Sequence, residues 1–182
     1  MILDVGGRTG AWSEPYRRAG YDVRIIDPWT WPFLSALDYR DGAGVRGVLM
    51  APDCTEFAGS GARWWATKDP ALLGRAVAMV REMLDLCERV EPDWWALENP
   101  VGRLARAVPE LGKWRYTWNP SDYGDPYTKR TCMWGDHVQP MKTPVEPTEG
   151  SRLWRIPPGE QRKTLRSITP PGFARAFFEA NP

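Results

Sequence analysis

The chain has a single histidine, His137, and only three cysteines, Cys54, Cys87 and Cys132. No pair among them has the spacing of zinc ligands, so no metal site is expected. Three thiols without a paired spacing argue against a disulfide framework and for a reducing cytoplasm. A lone imidazole after an alternating segment reads as a loop residue, with no Cys–His catalytic pair in view. No run reaches the roughly 18 apolar residues that cross a bilayer, and no secretion signal is recognisable. A protein without a membrane partner is therefore expected. Neither sign of charge dominates, since 24 Lys and Arg face 23 Asp and Glu for a net +1. Composition alone thus does not announce a nucleic-acid binder. Internal repeats and low-complexity tracts are also missing.

What is present is enough chain for one domain with a real core, 182 residues, and an unusual 11 Trp and 18 Pro. The tryptophans read either as core or as stacking surfaces for bases. The organising stretch is Val48-Leu49-Met50-Ala51-Pro52-Asp53-Cys54-Thr55-Glu56-Phe57, followed by Gly59-Ser60-Gly61 and by Arg63, Trp64 and Trp65. Val48 to Ala51 predicts a short buried strand that Pro52 ends. Ligands in α/β sheets bind at the carboxyl ends of strands. Cys54, just past such an end and beside a mobile loop, reads either as a small buried hydrophobe or as a nucleophile.

Ile2 to Val5 predicts a first strand, Gly6-Gly7-Arg8-Thr9-Gly10 a glycine-rich turn, and Ala11 to Ala19 a helix capped by Gly20. This is the opening of a nucleotide-binding βαβ unit or an ordinary tight turn. Tyr21 to Asp27 predicts a second strand. Asp27 stands near the spacing at which an acid meets ribose hydroxyls, or it is a solvated turn acid. Pro28 to Phe33 suits a loop over an adenine ring, and Asp38 or Asp41 is a candidate for its amino group. Ala71 to Val90 is the clearest helix, with Leu72, Leu73, Ala76, Val77, Val80, Met83, Leu84 and Cys87 on one stripe. Trp94 to Pro100 predicts a strand ending in Glu98-Asn99-Pro100, where Glu98 is a core-edge acid or a general acid. Arg103 to Arg115 reads as a basic helix-turn region and Tyr127 to Trp134 as a strand. Gln139 to Gly159 reads as a long ordered loop, and Phe173 to Ala180 as a last helix. Arg152, Arg155, Arg162, Lys163 and Arg166 gather against Glu160 alone, as a solvated face or a phosphate-contacting patch.

With these pieces placed, the chain resembles the DNA (cytosine-5) methyltransferase family over nearly its whole length and in the family's motif order. Asp4 to Gly10 is similar to the cofactor loop Asp-x-Phe-x-Gly-x-Gly, with Gly6 at the Phe position and Arg8 at a Gly position. Pro52-Asp53-Cys54 resembles the Pro-Pro-Cys loop, with Asp53 at the second position. Glu98-Asn99-Pro100 resembles Glu-Asn-Val. Tyr123-Gly124-Asp125-Pro126-Tyr127-Thr128-Lys129-Arg130 resembles Tyr-Gly-x-Pro-Gln-x-Arg-x-Arg, and Thr169 to Ala176 resembles the last motif. There is also a looser resemblance to compact phage-encoded relatives.

The resemblance implies an α/β, Rossmann-like S-adenosylmethionine-dependent methyltransferase fold, a mostly parallel central sheet with helices on both faces. It implies one catalytic domain over 1–182, with a short basic loop region, 137–166, in place of a target-recognition domain and hence short or relaxed sequence specificity. S-adenosyl-L-methionine is the implied cofactor, held by Asp4, Gly6, Gly7, Thr9, Gly10, Asp27, Pro28, Asp38 and Pro52. Cys54 would add to C6 of cytosine, with Glu98 at N3, Asn99 orienting the loop, and Lys129, Arg130 or Thr131 meeting the base O2 or a phosphate. Ser60, Arg63, Trp64, Arg152, Arg155 and Lys163 would contact duplex DNA. The expected protein is a monomer in the cytoplasm of a bacterium or a phage-infected cell. Two alternatives stay open: the same chemistry on RNA, single-stranded DNA or a nucleotide, and a catalytically silent fold that binds nucleic acid.

Overall fold

A computed structural model of the chain describes residues 1–27, 44–157, 159 and 161–182. Pro28, Asp38 and Asp41, expected at the adenine end of a cofactor, lie outside the described residues.

Short apolar runs between turns form β1 (Ile2–Val5), β2 (Val23–Ile26), β3 (Gly47–Met50), β4 (Trp94–Pro100), β5 (Tyr116–Trp118) and β6 (Thr131–Trp134). They make one six-stranded sheet in the order β2-β1-β3-β4-β6-β5. β2, β1, β3 and β4 are parallel, whereas β6 runs antiparallel to β4 and β5 antiparallel to β6. The sheet is therefore mixed. Its β6–β5 edge is antiparallel: β5 and β6 are joined by residues 119–130, which hold the 3-10 turn Pro120–Tyr123 and no crossover helix.

Alternation along the strands gives the sheet two apolar faces. Leu3, Val5, Val48, Met50 and Leu97 face the long helix α2 (Pro70–Val90), which buries Val80, Met83, Leu86, Cys87 and Val90. This helix starts where the Asp69 side chain accepts from the Ala71 N–H at 2.9 Å, with Pro70 in its first turn. It ends at Glu91, in the left-handed region at φ 44°. Leu72, placed on the buried stripe by its spacing, is exposed, while Leu86 and Val90 join the stripe. On the other face Ile2, Leu49, Ala96 and Met133 meet Trp12, Tyr16, Phe173 and Phe177. These come from α1 (Glu14–Arg18), its approach, and α5 (Pro171–Ala180). Trp118 stacks on Phe173 with ring centroids 3.8 Å apart. Helices thus cover both faces. The remaining α-helices among the described residues are α3 (Leu104–Ala107) and α4 (Gln161–Ser167).

Two elements differ from their sequence reading. The strand expected over Tyr127 to Trp134 begins only at Thr131, because the Thr128 N–H donates to the Gly150 carbonyl at 2.9 Å instead of to a ladder partner. The region 137–166, read as a loop, holds a 3-10 turn at Arg152–Arg155 and most of α4, which forms where the proline-rich composition ends. His137 does lie in a loop. Its buried ring sits 3.0 Å from the Tyr116 hydroxyl and 3.2 Å from the Trp95 carbonyl, and burial holds its pKa down at about 4. Among the described residues no helix is long and apolar enough to cross a membrane, and no group of three His, Cys, Asp or Glu is placed to hold a metal.

The topology fixes where the loops meet. β1, β3 and β4 are parallel, so residues 6–10, 51–61 and 99–103 leave the sheet at one edge. β6 runs the opposite way and pairs Thr131 with Pro100. Residues 127–130 therefore enter it from that same edge.

Candidate active site

Past β3, Pro52 ends the ladder and Asp53 caps a single 3-10 turn, Cys54–Glu56. The Asp53 Oδ1 accepts from the Thr55 N–H at 2.9 Å and from the Thr55 hydroxyl at 2.6 Å. The turn is stitched to the loop after β4. Asn99 Nδ2 donates to the Pro52 carbonyl at 3.0 Å, the Gly59 N–H to the Val101 carbonyl at 2.8 Å, and the Arg103 N–H to the Phe57 carbonyl at 2.9 Å. Gly102 is required by this contact, since a Cβ there would lie 1.9 Å from the Phe57 carbonyl oxygen. Arg103 Nε also donates to the Glu56 carbonyl at 2.7 Å, and Lys68 Nζ bonds both the Thr55 carbonyl and the buried Glu56 carboxylate at 2.8 Å. The segment read as a mobile Gly-Ser-Gly loop is a 3-10 helix, Gly59–Trp64, anchored at its first residue.

The edge where these loops meet encloses a cavity of about 830 Å³, within the usual range for small-molecule sites. Cys54 is part-buried, where Cys87 and Cys132 are fully buried, and it lines this cavity. So do Glu98 and, from the segment entering β6, Thr128, Lys129 and Arg130. Glu98 is 9 % exposed, and its Oε2 has no hydrogen-bonding partner among the described residues. Cys87 and Cys132 are core. Burial raises the Cys54 pKa; Lys129 and Arg166 oppose this, while Glu98 and Asp53 add to it. Two cations, Lys129 and Arg166, are thus at hand to stabilise a thiolate. Thr131, an alternative contact for the base, is fully buried and donates to the Lys129 carbonyl at 2.9 Å.

The glycine turn forms the other wall. Gly6, Gly7, Arg8 and Pro52 line the cavity. Gly6, at φ +77°, lies so close to β3 that a Cβ would stand 2.7 Å from the Ala51 carbonyl oxygen. The turn thus offers bare backbone at the end of β1, a cradle that suits a nucleoside cofactor such as S-adenosylmethionine. Asp4 stands behind this cradle and does not line the cavity. It is fully buried, hydrogen-bonded to Ser13 Oγ at 2.5 Å, and its carboxylate occupies the space where a Cβ on Gly7 would go. Burial lifts the Asp4 pKa to about 6, against the Ser13 hydrogen bonds and the charge of Arg17. Thr9 and Gly10 shape the turn, the Thr9 hydroxyl accepting from the Ala11 N–H at 3.3 Å and Gly10 taking φ +65°. Asp27 is buried at the end of β2, with Arg8 Nε 4.0 Å away.

The residues expected to meet DNA divide into groups. Ser60 and Trp64 reach the cavity rim, where Trp64 is 49 % exposed with the Arg63 guanidinium 3.8 Å from its ring centroid. Arg152 does not itself line the cavity, although Ser151 and Leu153 on either side of it do; it pairs with Glu149 at 2.7 Å and lies 4.0 Å over the Tyr127 ring. Arg155 is exposed on the same 3-10 turn. Lys163 turns inward, its Nζ 2.6 Å from Asp53 Oδ2. Arg162 and Arg166 of the same helix also line the cavity. They were read only as members of a basic cluster. Their i, i+4 spacing places them on one helical face, which was the available signal.

No family model matches the chain, and no curated protein matches it. Among solved structures it is similar to a candidate DNA modification methyltransferase encoded within a prophage, from E. coli. The identity is 15%, over 80% of this chain and 52% of that one, with a TM-score of 0.50. This chain spans about half the length of that protein. At this identity the likeness shows a shared fold.

Proposed function

We propose that the chain transfers a methyl group from S-adenosylmethionine to C5 of cytosine in DNA, through a covalent bond between Cys54 and C6 of the base. The observation that carries this reading is the convergence of Cys54, Glu98 and Lys129 on one cavity whose far wall is the Gly6–Arg8 turn. The fold shared with a candidate DNA modification methyltransferase agrees with it.

The chemistry needs what these residues offer. Cytosine C5 is a weak nucleophile. Cys54 gives its proton to water, and the thiolate, stabilised by Lys129 and Arg166, forms an S–C6 bond that moves the ring electrons toward C5. A proton shared between Glu98 and N3 draws electron density the same way. The bound cofactor supplies an electrophilic methyl group. Once C5 carries the methyl, its proton leaves to a base, the C5–C6 double bond re-forms, and Cys54 departs as thiolate. Asn99 keeps the cysteine turn in register throughout. The base must leave the duplex to enter the cavity, which costs a few kcal/mol. Ser60, Arg63 and Trp64 stand at the rim where the vacated stack would lie. The short interval from Gly135 to Arg166 leaves no room for a separate recognition domain, so a short or relaxed target sequence follows.

Duplex DNA with 5-fluorocytosine in many sequence contexts tests the reading. Fluorine blocks the final elimination, so a denaturant-resistant adduct at Cys54 is expected with S-adenosylmethionine present, and none with Cys54→Ala. Failure to form an adduct while the cofactor still binds refutes the proposed chemistry. An adduct on RNA or single strands alone would replace the substrate.

A further inference from the structure

Asp53 places a carboxylate in the chain position immediately before the proposed nucleophile. Left to itself such a charge holds a neighbouring thiol in its protonated form. Both of its oxygens are occupied. Oδ1 caps the turn through Thr55, and Oδ2 meets Lys163 Nζ at 2.6 Å. Lys163 belongs to α4, a helix distant in sequence, and Arg162 and Arg166 extend from that helix into the same cavity. We propose that Lys163 is a positioning residue for Cys54. By holding Asp53 it sets the charge that the thiol faces, and α4 is thereby part of the catalytic site and more than a surface for phosphates.

The charged groups around Cys54 come from every side of the cavity. Asp53 belongs to its own turn, Glu98 to β4, Lys129 and Arg130 to the segment entering β6, and Lys163 and Arg166 to α4, with Arg8 and Lys68 further along the lining. Lys129 and Arg166 counter burial directly. Lys163 acts one step away, since its partner is the carboxylate and not the sulfur. Asp53 is itself held below the usual carboxylate range. Burial pushes it up, and the hydrogen bonds from Lys163 and Thr55 outweigh that. The pair is thus a closed ion pair at neutral pH. The inference rests on the reading of Cys54 as nucleophile, but its test needs neither cofactor nor DNA.

The test is the pH dependence of Cys54 alkylation by iodoacetamide in the full chain, followed by peptide mass spectrometry. Lys163→Gln leaves Asp53 uncompensated, and a charge change at this range slows alkylation at neutral pH roughly three- to tenfold, with the limiting rate at high pH unchanged. Lys163→Arg keeps the wild-type profile. Asp53→Asn keeps an oxygen to cap the turn and speeds alkylation by a similar factor. The double variant returns close to wild type. A merely structural contact would give shifts of one sign in both single variants, through loosening of the turn, and that result would overturn the proposal. An unchanged Lys163→Gln profile would overturn it too. If the fluorocytosine adduct fails while these opposite shifts appear, the electrostatic device stands and the methyl-transfer reading falls.

Discussion

Asn99 joins the two loops of the site, and Asn99→Ala separates them. Its side chain is fully buried and Nδ2 donates to the Pro52 carbonyl at 3.0 Å, two residues before Cys54. Losing the bond removes about 1 kcal/mol net, and the buried Pro52 carbonyl left without a donor adds about 1–3 kcal/mol. The Asn99 Oδ1 has no hydrogen-bonding protein partner, so its removal returns part of that loss. The balance is a destabilisation of roughly 1.5–3 kcal/mol. Asn99→Leu fills the space but leaves the same carbonyl orphaned, and should fall at the lower end. In urea titrations both variants should lower the midpoint while the slope with denaturant stays fixed, because the surface exposed on unfolding is unchanged. The functional loss should be larger than the stability loss. Misplacing a reacting group by about 1 Å costs on the order of a hundredfold in rate, so fluorocytosine adduct formation should slow by about that factor. A wild-type urea midpoint for Asn99→Ala would refute the bond's energetic role. A lowered midpoint with an unchanged adduct rate would refute its role in placing Cys54.

Other consequences are equally open to measurement. Gly7→Ala would set a Cβ 1.9 Å from Asp4 Oδ1 and 2.4 Å from Asp4 Cγ, both buried. It should cost about 1–3 kcal/mol and weaken S-adenosylmethionine binding in titration calorimetry, while Gly61→Ala should do neither. The Gly61 site has nothing within 4 Å of an added Cβ. Asp4 has a folded pKa of about 6 against an ordinary value of 3.8, because burial penalises its charge. The folded state therefore holds the proton more tightly, and stability falls as pH rises from 3.8 through 6. Asp4→Asn should match wild type near pH 4 and exceed it by roughly 3 kcal/mol above pH 6, in urea titrations at both ends. A gain independent of pH would show that the carboxylate's charge is not the cause. Replacing Arg152 and Arg155 together by Gln should reduce the slope of log K against log salt for duplex DNA by about 2, and an unchanged slope would make that 3-10 turn a solvated surface.

The sheet's first four strands and α2 were legible because each is a short apolar run or a long 3.6-residue stripe bounded by Gly, Pro or an Asp cap. β5 was not, since three residues, Tyr116 to Trp118, are too few to show a period. Tyr127 to Arg130 alternates like a strand, but its backbone is engaged by the proline-rich loop through Gly150. Cys54 and Glu98 could be placed at one end of the sheet because strand ends carry them there, whereas Lys129 and Arg130 read as mid-strand residues and were joined to them only through the family resemblance. The bracing of the cysteine turn was not visible. Glu56 with Lys68, and Arg103 with the Glu56 carbonyl, are contacts set by how the loops fold back, and no local pattern encodes them. The inward turn of α4 is of the same kind. A cluster of cations has one composition whether it faces only solvent or also an acid of the site, and only the partner, Asp53, decides.

Three positions at which the chain departs from the cytosine-5 pattern it resembles, Gly6, Arg8 and Asp53, need not mark decay, because each is met by a compensating feature elsewhere. Gly6 stands where the pattern has Phe. With φ +77° and a prospective Cβ 2.7 Å from Ala51 O and 3.2 Å from Met83 Cε, that place already belongs to β3 and to α2. Arg8 stands where the pattern has Gly and takes φ 39°, a left-handed conformation that costs a non-glycine residue about 1–2 kcal/mol. Its guanidinium reaches toward Asp27, the acid at the end of β2. Asp53 adds a charge beside the thiol, and Lys163 meets it. A chain losing its site would accumulate unpaired charges and open space around the cysteine. Here the added charges are paired, and the turn that carries Cys54 is tied to β4's loop by side-chain and backbone bonds.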